Sequence, residues 1–370
     1  MELKLGSTER YVRPTYPEHS FRPGTPCEPI TINFMFLNGG MGDYVCWSQA
    51  IRWQAAKNTW ITGRVVVADY MVEPMNYWLK QLNPNWQAWN YKQLKEREDE
   101  GMPFRGPLEM SKESMNATGA HLLDCGFVYF ANQCPNPEGW DNYPPFLQVD
   151  LDKLLHKFEE RLPQKYAIIT TGKTSPSRAV PDKYWNDIIE HVAARGITPV
   201  FLGATTIITG NKANIETKFG AGVRYDLGID LRNQTSTMEA AAVMSRAEFV
   251  VGHDNGLLHL AGCTEVPIIF GYNVAHPKHR RPRRPVGEVY DVTLTHEELA
   301  CIHCQSNTNF LIGYNFNRCF YEPQDRKQAE LEGKPYENSK CIDLLFAGGA
   351  ARFKRAIDKC LVDNARRDNT

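Results

Sequence analysis

Two short stretches carry residue types that can do chemistry. The first is VGHDNGLLHL, residues 251–260, with Asp254, Asn255, Gly256 and His259 where an apolar run ends and a helix opens. A helix that starts where a buried strand stops presents unpaired backbone N–H groups and the positive end of its dipole. That arrangement suits the phosphates of a nucleotide. Gly256 allows close backbone approach, and His259 falls within the first turn. The second stretch is NGGMGD, residues 38–43, which follows the apolar run ITINFMFL and precedes a helical pattern over 44–57. Three glycines in four positions imply tight turning and backbone open to a ligand, and Asp43 stands at the helix start. The plainer alternative for both stretches is structural: Asp43 and Asp254 cap helices, the glycines make turns, and His259 packs.

Ten cysteines form a third group. Cys46, Cys125, Cys263 and Cys360 sit in apolar or helical contexts and read as packing residues. Cys301-x-x-Cys304 has metal-ligand spacing, and Cys319 and Cys341 follow in a loop-rich stretch short of apolar residues. A structural zinc or iron there would staple a segment that cannot pack itself. Free thiols or disulfides are the alternative, because the last two intervals fit no common zinc pattern. The basic run KHRRPRR, residues 278–284, reads either as a solvated loop or as a contact for a polyanion.

The elements that position these residues alternate strand with helix. Strands are expected at 30–37 and 64–68, helices at 43–57 and 71–82, and a strand-like run at 122–130. The charged stretch 92–106 reads as solvated helix and loop, and a Pro-rich stretch at 134–145 precedes a linker helix at 151–161. A second alternation runs through 166–171, 182–195, 198–202, 223–227, 236–246, 248–251, 256–263 and 267–270, with a final helix at 344–362. Strands separated by helix-length segments imply parallel sheets with crossovers. The fold class expected is α/β, with two Rossmann-like domains facing a cleft. The domain bounds expected are a polar arm at 1–28, an N-terminal α/β domain at 29–160, a C-terminal α/β domain at 161–343 and a C-terminal helix at 344–370; the resemblance given below implies that the first takes the acceptor and the second the nucleotide sugar.

With 370 residues, 42 % of them hydrophobic, the chain can bury two cores of ordinary domain size. A formal net charge of −1 gives no bulk attraction to nucleic acid or membrane. No apolar run nears the roughly 20 residues that span a bilayer, and the N-terminal residues lack the apolar core of a signal peptide. A cytoplasmic protein is expected.

Over residues 30–365 the chain resembles the heptosyltransferase-like glycosyltransferases of family 9, which have the GT-B fold. Gly42-Asp43 is similar to the family's Gly-Asp after the first strand, which implies Asp43 as catalytic base. IITTGKTSPSRAVPDKYW, residues 168–185, resembles its phosphate-binding loop and following helix, with Arg178 where Lys is usual. This implies donor contacts from Thr170, Thr171 and Arg178. Thr237, Met238 and Glu239 resemble its nucleotide-contacting helix start. Asp254, Gly256 and His259 match its Asp-(Ser/Thr)-Gly-x-x-His signature, with Asn255 in place of the hydroxyl residue.

The resemblance implies transfer of a sugar, with inversion, from a nucleoside-diphosphate donor of ADP-heptose type to an acceptor hydroxyl, with no cofactor required for catalysis. It leaves the acceptor open between glycan, protein and nucleic acid. In the branch that glycosylates autotransporter proteins, similar late cysteines hold iron. A DNA-base or protein glycosyltransferase with another donor sugar, and a non-catalytic nucleotide-sugar-binding subunit, are the rival readings.

Overall fold

The structure, a computed structural model, describes residues 31–35, 40–59, 61–96, 102–105, 145–147, 151–172, 178–205, 222–282, 284, 287–304, 319, 327, 331 and 339–367. The chain divides into two compact units, one of Met1–Leu37 with Trp47–Tyr143 and one of Asn38–Cys46 with Pro144–Thr370. The arm at 1–28 and the strand-like run at 122–130 lie outside the described residues.

In the first unit, β1 (Thr31–Met35), β2 (Thr62–Val66), β3 (Trp86–Trp89) and β4 (Met102–Arg105) form a parallel sheet in the order β3-β2-β1-β4. The helices are α1 (Met41–Lys57), α2 (Asp69–Lys80) and α3 (Tyr91–Lys95). Residues of α1 up to Cys46 belong to the second unit and the rest to the first. Phe34 of β1 stacks on Trp86 of β3 at 5.0 Å between ring centres. Gly63 of β2 leaves room for that indole, since a Cβ there would fall 2.2 Å from its ring. Asn90 and Gln93 close a reciprocal cap on α3. Strand β4 forms inside the stretch that its charge marks as solvated helix and loop, and it pairs parallel with β1 from Ile32 and Met102 onward.

In the second unit, α4 (Leu151–Leu155) and a 3₁₀ turn at His156–Phe158 take the place of the expected linker helix. The sheet comprises β5 (Tyr166–Thr170), β6 (Thr198–Phe201), β7 (Ile229–Asp230), β8 (Val250–His253), β9 (Ile268–Gly271) and β10 (Val289–Asp291). Its order is β10-β9-β8-β5-β6-β7, with every pairing parallel. The helices are α5 (Asp182–Ala193), α6 (Thr237–Ser245), α7 (Gly256–Ala261), α8 (Pro277–Arg280), α9 (Lys340–Leu345) and α10 (Ala347–Arg367).

Helix α5 buries Trp185, Ile188, Ile189 and Val192, the i, i+3, i+4, i+7 stripe of an amphipathic helix. Phe346 and Phe353 stack at 4.7 Å, and Trp185 meets Phe346 edge-on. These aromatics join the cluster that covers one face of the sheet. The stretch 223–227 is a 3₁₀ turn (Tyr225–Leu227) rather than a strand. The final helix is two helices, with Gly348 and Gly349 in left-handed backbone (φ 63° and 66°) just inside the second.

The order of this sheet decides where a ligand binds. Strand β5 opens the unit and has β6 on one side and β8 on the other. The chain therefore winds outward in both directions from β5 and β8, and the crevice beyond their carboxyl ends is the switch point where open α/β sheets bind ligands. Among the described residues, no helix is long and apolar enough to cross a membrane.

Candidate active site

Strand β5 ends at Thr170, with Thr171 directly after it, and β8 runs through His253 into Asp254, Asn255 and α7. Asn255 is the residue that ties the two strand ends together. Its Oδ1 caps α7, accepting from the N–H groups of Leu257 at 3.0 Å and Leu258 at 3.2 Å. Its Nδ2 donates to the Thr170 hydroxyl at 3.0 Å. A Ser or Thr here would keep the cap but has no second donor of that reach. Gly252 permits the same approach, because a Cβ there would lie 2.1 Å from the Thr170 Oγ1. The N–H groups at the start of α7, expected to be open to phosphate, are in part consumed by this cap.

Two more glycines let the first turns of α1 and α7 meet. A Cβ on Gly256 would sit 2.8 Å from the Met41 Cβ and 3.0 Å from the Gly42 nitrogen. A Cβ on Gly42 would sit 2.6 Å from the His259 Cδ2. The imidazole of His259 thus packs on bare backbone, with Nδ1 3.5 Å from the Cys46 thiol. Burial pushes its pKa down to about 4, against the attraction of Asp254 and Asp43, so His259 is neutral at neutral pH. Asp43 is the third residue of α1. Its Oδ2 accepts from the Gly40 N–H at 2.8 Å, and its Oδ1 lies 3.8 Å from Arg280 Nη1. Capping and a place in the site therefore coexist in one carboxylate.

Asp254 is buried and takes a 3.0 Å charge-assisted hydrogen bond from Arg178. Burial alone would raise its pKa, but Arg178 and then Arg280 outweigh that and hold it below the usual carboxylate value. His253, buried beside it, is pushed down to about 4, chiefly by desolvation. The group therefore gathers two arginines, two carboxylates and a neutral imidazole. Thr171 Oγ1 lies 3.1 Å from the Tyr225 hydroxyl, and the Arg232 guanidinium covers the Tyr225 ring at 3.5 Å while pairing with Asp230.

The other expected residues are placed differently. Met238 and Thr237 are buried in the first turn of α6. Glu239 closes a reciprocal cap with Ser236 and meets Lys157 Nζ at 2.9 Å, so its carboxylate is engaged locally. The late cysteines do not come together as a ligand set. Among the described residues, no three His, Cys, Asp or Glu side chains are placed to hold a metal. Cys341, at the start of α9, is half-buried, desolvation raises its pKa, and its sulfur lies 3.4 Å from Asn273 Nδ2 and 3.3 Å from the Ser339 hydroxyl. Among the described residues, Cys301, Cys304, Cys319 and Cys341 are thus not grouped into the structural zinc or iron site that is one of their two readings.

The basic run is not a uniform solvated loop either. Arg281 is exposed, whereas Arg280 turns to Asp43 and Arg284 donates to the Val266 carbonyl at 2.6 Å. Sequence reasoning named Arg280 only as part of the basic run and Cys46 only as a packing residue. Only the proximity of the basic run to the end of β9 pointed toward Arg280.

Residues 130–312 match the family model "Glycosyltransferase family 9 (heptosyltransferase)". No curated protein sequence matches the chain. Among solved structures, the chain is similar to the iron-containing dodecameric glycosyltransferase TibC of enterotoxigenic E. coli H10407. The TM-score is 0.61 and the identity 16 %, over 93 % of this chain and 77 % of that one. TibC in complex with ADP-D-beta-D-heptose gives a TM-score of 0.58 and 15 % identity, over 91 % and 77 % of the two chains. A family 9 glycosyl transferase of Veillonella parvula DSM 2008 gives 0.56 and 12 %, over 92 % and 99 %. At these identities the structural likeness shows the fold, mixed α/β with parallel sheets. The match over residues 130–312, just under half of the chain, makes that stretch similar to the family 9 glycosyltransferases and indicates a glycosyltransferase.

Proposed function

We propose that the chain transfers a sugar from a nucleoside-diphosphate sugar of ADP-heptose type to an acceptor hydroxyl, with inversion at the anomeric carbon. The observation that carries this reading is the gathering of Asp43, Asp254, His259, Arg178 and Arg280 in one unit, beside the carboxyl ends of β5 and β8. In the reaction the acceptor oxygen forms a bond to the anomeric carbon as the bond to the diphosphate breaks. Asp43 takes the acceptor proton through Oδ1, since Oδ2 is held by the Gly40 N–H. The leaving diphosphate gains negative charge and needs donors already in place. Arg178 and the Thr171 hydroxyl supply them, while Asn255, Gly256, Gly42 and the fully buried Thr170, whose hydroxyl is engaged by Asn255 and the Val251 carbonyl, hold the frame. Thr237, Met238 and Glu239 form the helix start expected to flank the nucleoside. The donor type is supported by the family description and by the ADP-heptose complex of TibC. The acceptor is a glycan, a protein or a nucleic acid.

The test is consumption of ADP-heptose by the purified protein with and without a candidate acceptor extract, beside Asp43→Asn. Loss of general-base help lowers turnover by about 10²–10⁴-fold, and nucleotide binding should survive. Full turnover by Asp43→Asn removes Asp43 as the base.

A further inference from the structure

The two threonines at the end of β5 are placed differently. The Thr170 hydroxyl is used up, accepting from Asn255 Nδ2 at 3.0 Å and donating to the Val251 carbonyl at 3.4 Å. The Thr171 hydroxyl instead lies 3.1 Å from the Tyr225 hydroxyl. Gly172 beside it borders open space, since a Cβ there would meet nothing within 4 Å. Tyr225 is a rigid partner. The turn that carries it closes against β6 at Gly228, where a Cβ would fall 2.1 Å from the Pro199 carbonyl oxygen. The Tyr225 ring meets Phe201 edge-on at 4.8 Å and is covered by the Arg232 guanidinium at 3.5 Å. Asp230 fixes that guanidinium in turn, accepting from Nε at 2.9 Å and from Nη2 at 2.7 Å.

Two hydroxyls this close share one hydrogen bond, and the choice of donor decides which proton is left for a ligand. A phenol, with a pKa of about 10, is the more acidic hydroxyl and the better donor. The Thr171 oxygen is the better acceptor, because the phenol oxygen gives part of its electron density to the ring. Arg232 adds to this bias, since a cation on the ring face draws that density further. Burial raises the Tyr225 pKa, so the phenol keeps the proton it donates. With its oxygen accepting from Tyr225, Thr171 has its own proton left to give. Hydrogen bonds in series polarise one another, which strengthens the outer bond.

We propose that Tyr225 is a positioning residue for donor binding: its hydroxyl donates to Thr171 Oγ1 and so aims the Thr171 proton at the diphosphate. The relay runs from the Tyr225 O–H to the Thr171 O–H to a phosphate oxygen, and Tyr225 itself does not touch the ligand. Arg232 and Asp230 act one step further back, by holding the ring that carries the donor. This inference rests on the donor-site reading above, in which the Thr171 hydroxyl meets the diphosphate.

The relay predicts that the two hydroxyls act as one. ADP is titrated calorimetrically into the full chain as wild type, Thr171→Val, Thr171→Ser, Tyr225→Phe and the double variant Thr171→Val/Tyr225→Phe, each checked for unchanged thermal unfolding. UDP or GDP takes the place of ADP if one of them binds instead. Loss of a charge-assisted hydrogen bond should weaken the nucleotide about tenfold in Thr171→Val, with most of the affinity kept in Thr171→Ser. Tyr225→Phe keeps the ring under Arg232 and removes only the hydroxyl, and it should weaken the nucleotide about threefold. In Thr171→Val the same change should cost nothing further. A loss on Tyr225→Phe that persists without the Thr171 hydroxyl would show that Tyr225 acts on the ligand directly, and full affinity in Tyr225→Phe would show that Thr171 needs no orienting. Either result overturns the relay while leaving a nucleotide site, and so does full affinity in Thr171→Val. Wild-type protein that binds none of ADP, UDP and GDP would overturn the donor-site reading and the relay with it.

Discussion

Asn255 shows how one side chain can hold a site together. Its oxygen caps α7 and its amide nitrogen ties β8 to Thr170 of β5. Asn255→Ser should keep the cap and lose the cross-strand bond, lowering stability by about 1 kcal/mol. Asn255→Ala should lose both, about 2 kcal/mol in all. Urea denaturation separates the two, and wild-type stability in Asn255→Ser would mean that the Thr170 bond contributes nothing. The importance of Asn255 was legible from its place between Asp254 and Gly256, because a helix start needs a cap. Its second bond was not, because a partner 85 residues away depends on which strands become neighbours. Arg280 stayed hidden for a related reason: within a run of like charges, spacing alone does not tell which arginine turns inward.

The strand–turn–helix elements put these residues within reach of one another. The apolar runs before residues 38 and 254 mark buried strands, and the glycines after them mark close backbone approach. Which neighbour each glycine accommodates emerges only in three dimensions: Gly256 meets the start of α1, and Gly42 meets the ring of His259. Gly42→Ala and Gly256→Ala should therefore each destabilise the protein by about 1–3 kcal/mol through overpacking, and each should weaken nucleotide binding. Gly172→Ala is the control, since a Cβ there meets nothing within 4 Å. Calorimetric unfolding of the three variants checks this, and a tolerant Gly42→Ala would mean that α1 does not rest on His259. Strand β4 was missed because a four-residue strand, MPFR, beside a charged stretch has too little periodicity to announce itself. The break after Phe346 has a visible signal in Gly348-Gly349, which helical periodicity over the flanking residues overrode.

At the scale of the whole molecule, the buried histidines give folding a pH dependence. His253 and His259 have folded pKa values of about 4, whereas in the unfolded chain each titrates near its ordinary value of 6.5. Between those limits the unfolded chain binds more protons, so stability is full above about pH 6.5 and falls as pH drops toward 4. The slope is at most about 1.4 kcal/mol per pH unit for each histidine. Guanidinium unfolding at pH 7.0 and 5.0 should show the loss, and replacing His253 with Gln should reduce it. Stability unchanged across that interval would mean that these imidazoles are solvated.

The switch-point site of the second sheet is the part of the account on which the rest depends, and ligand-induced stabilisation probes it without knowledge of the acceptor. The measurement is the unfolding temperature of the full chain with ADP, UDP and GDP, and with a nucleotide sugar of each series. A ligand at 100 times its dissociation constant stabilises the fold by about 2.7 kcal/mol. The account predicts a clear rise in melting temperature for one series, with ADP expected, and loss of that rise in Arg178→Gln. No rise with any nucleotide, or a rise that Arg178→Gln leaves intact, would contradict a donor site at Asp254 and Arg178.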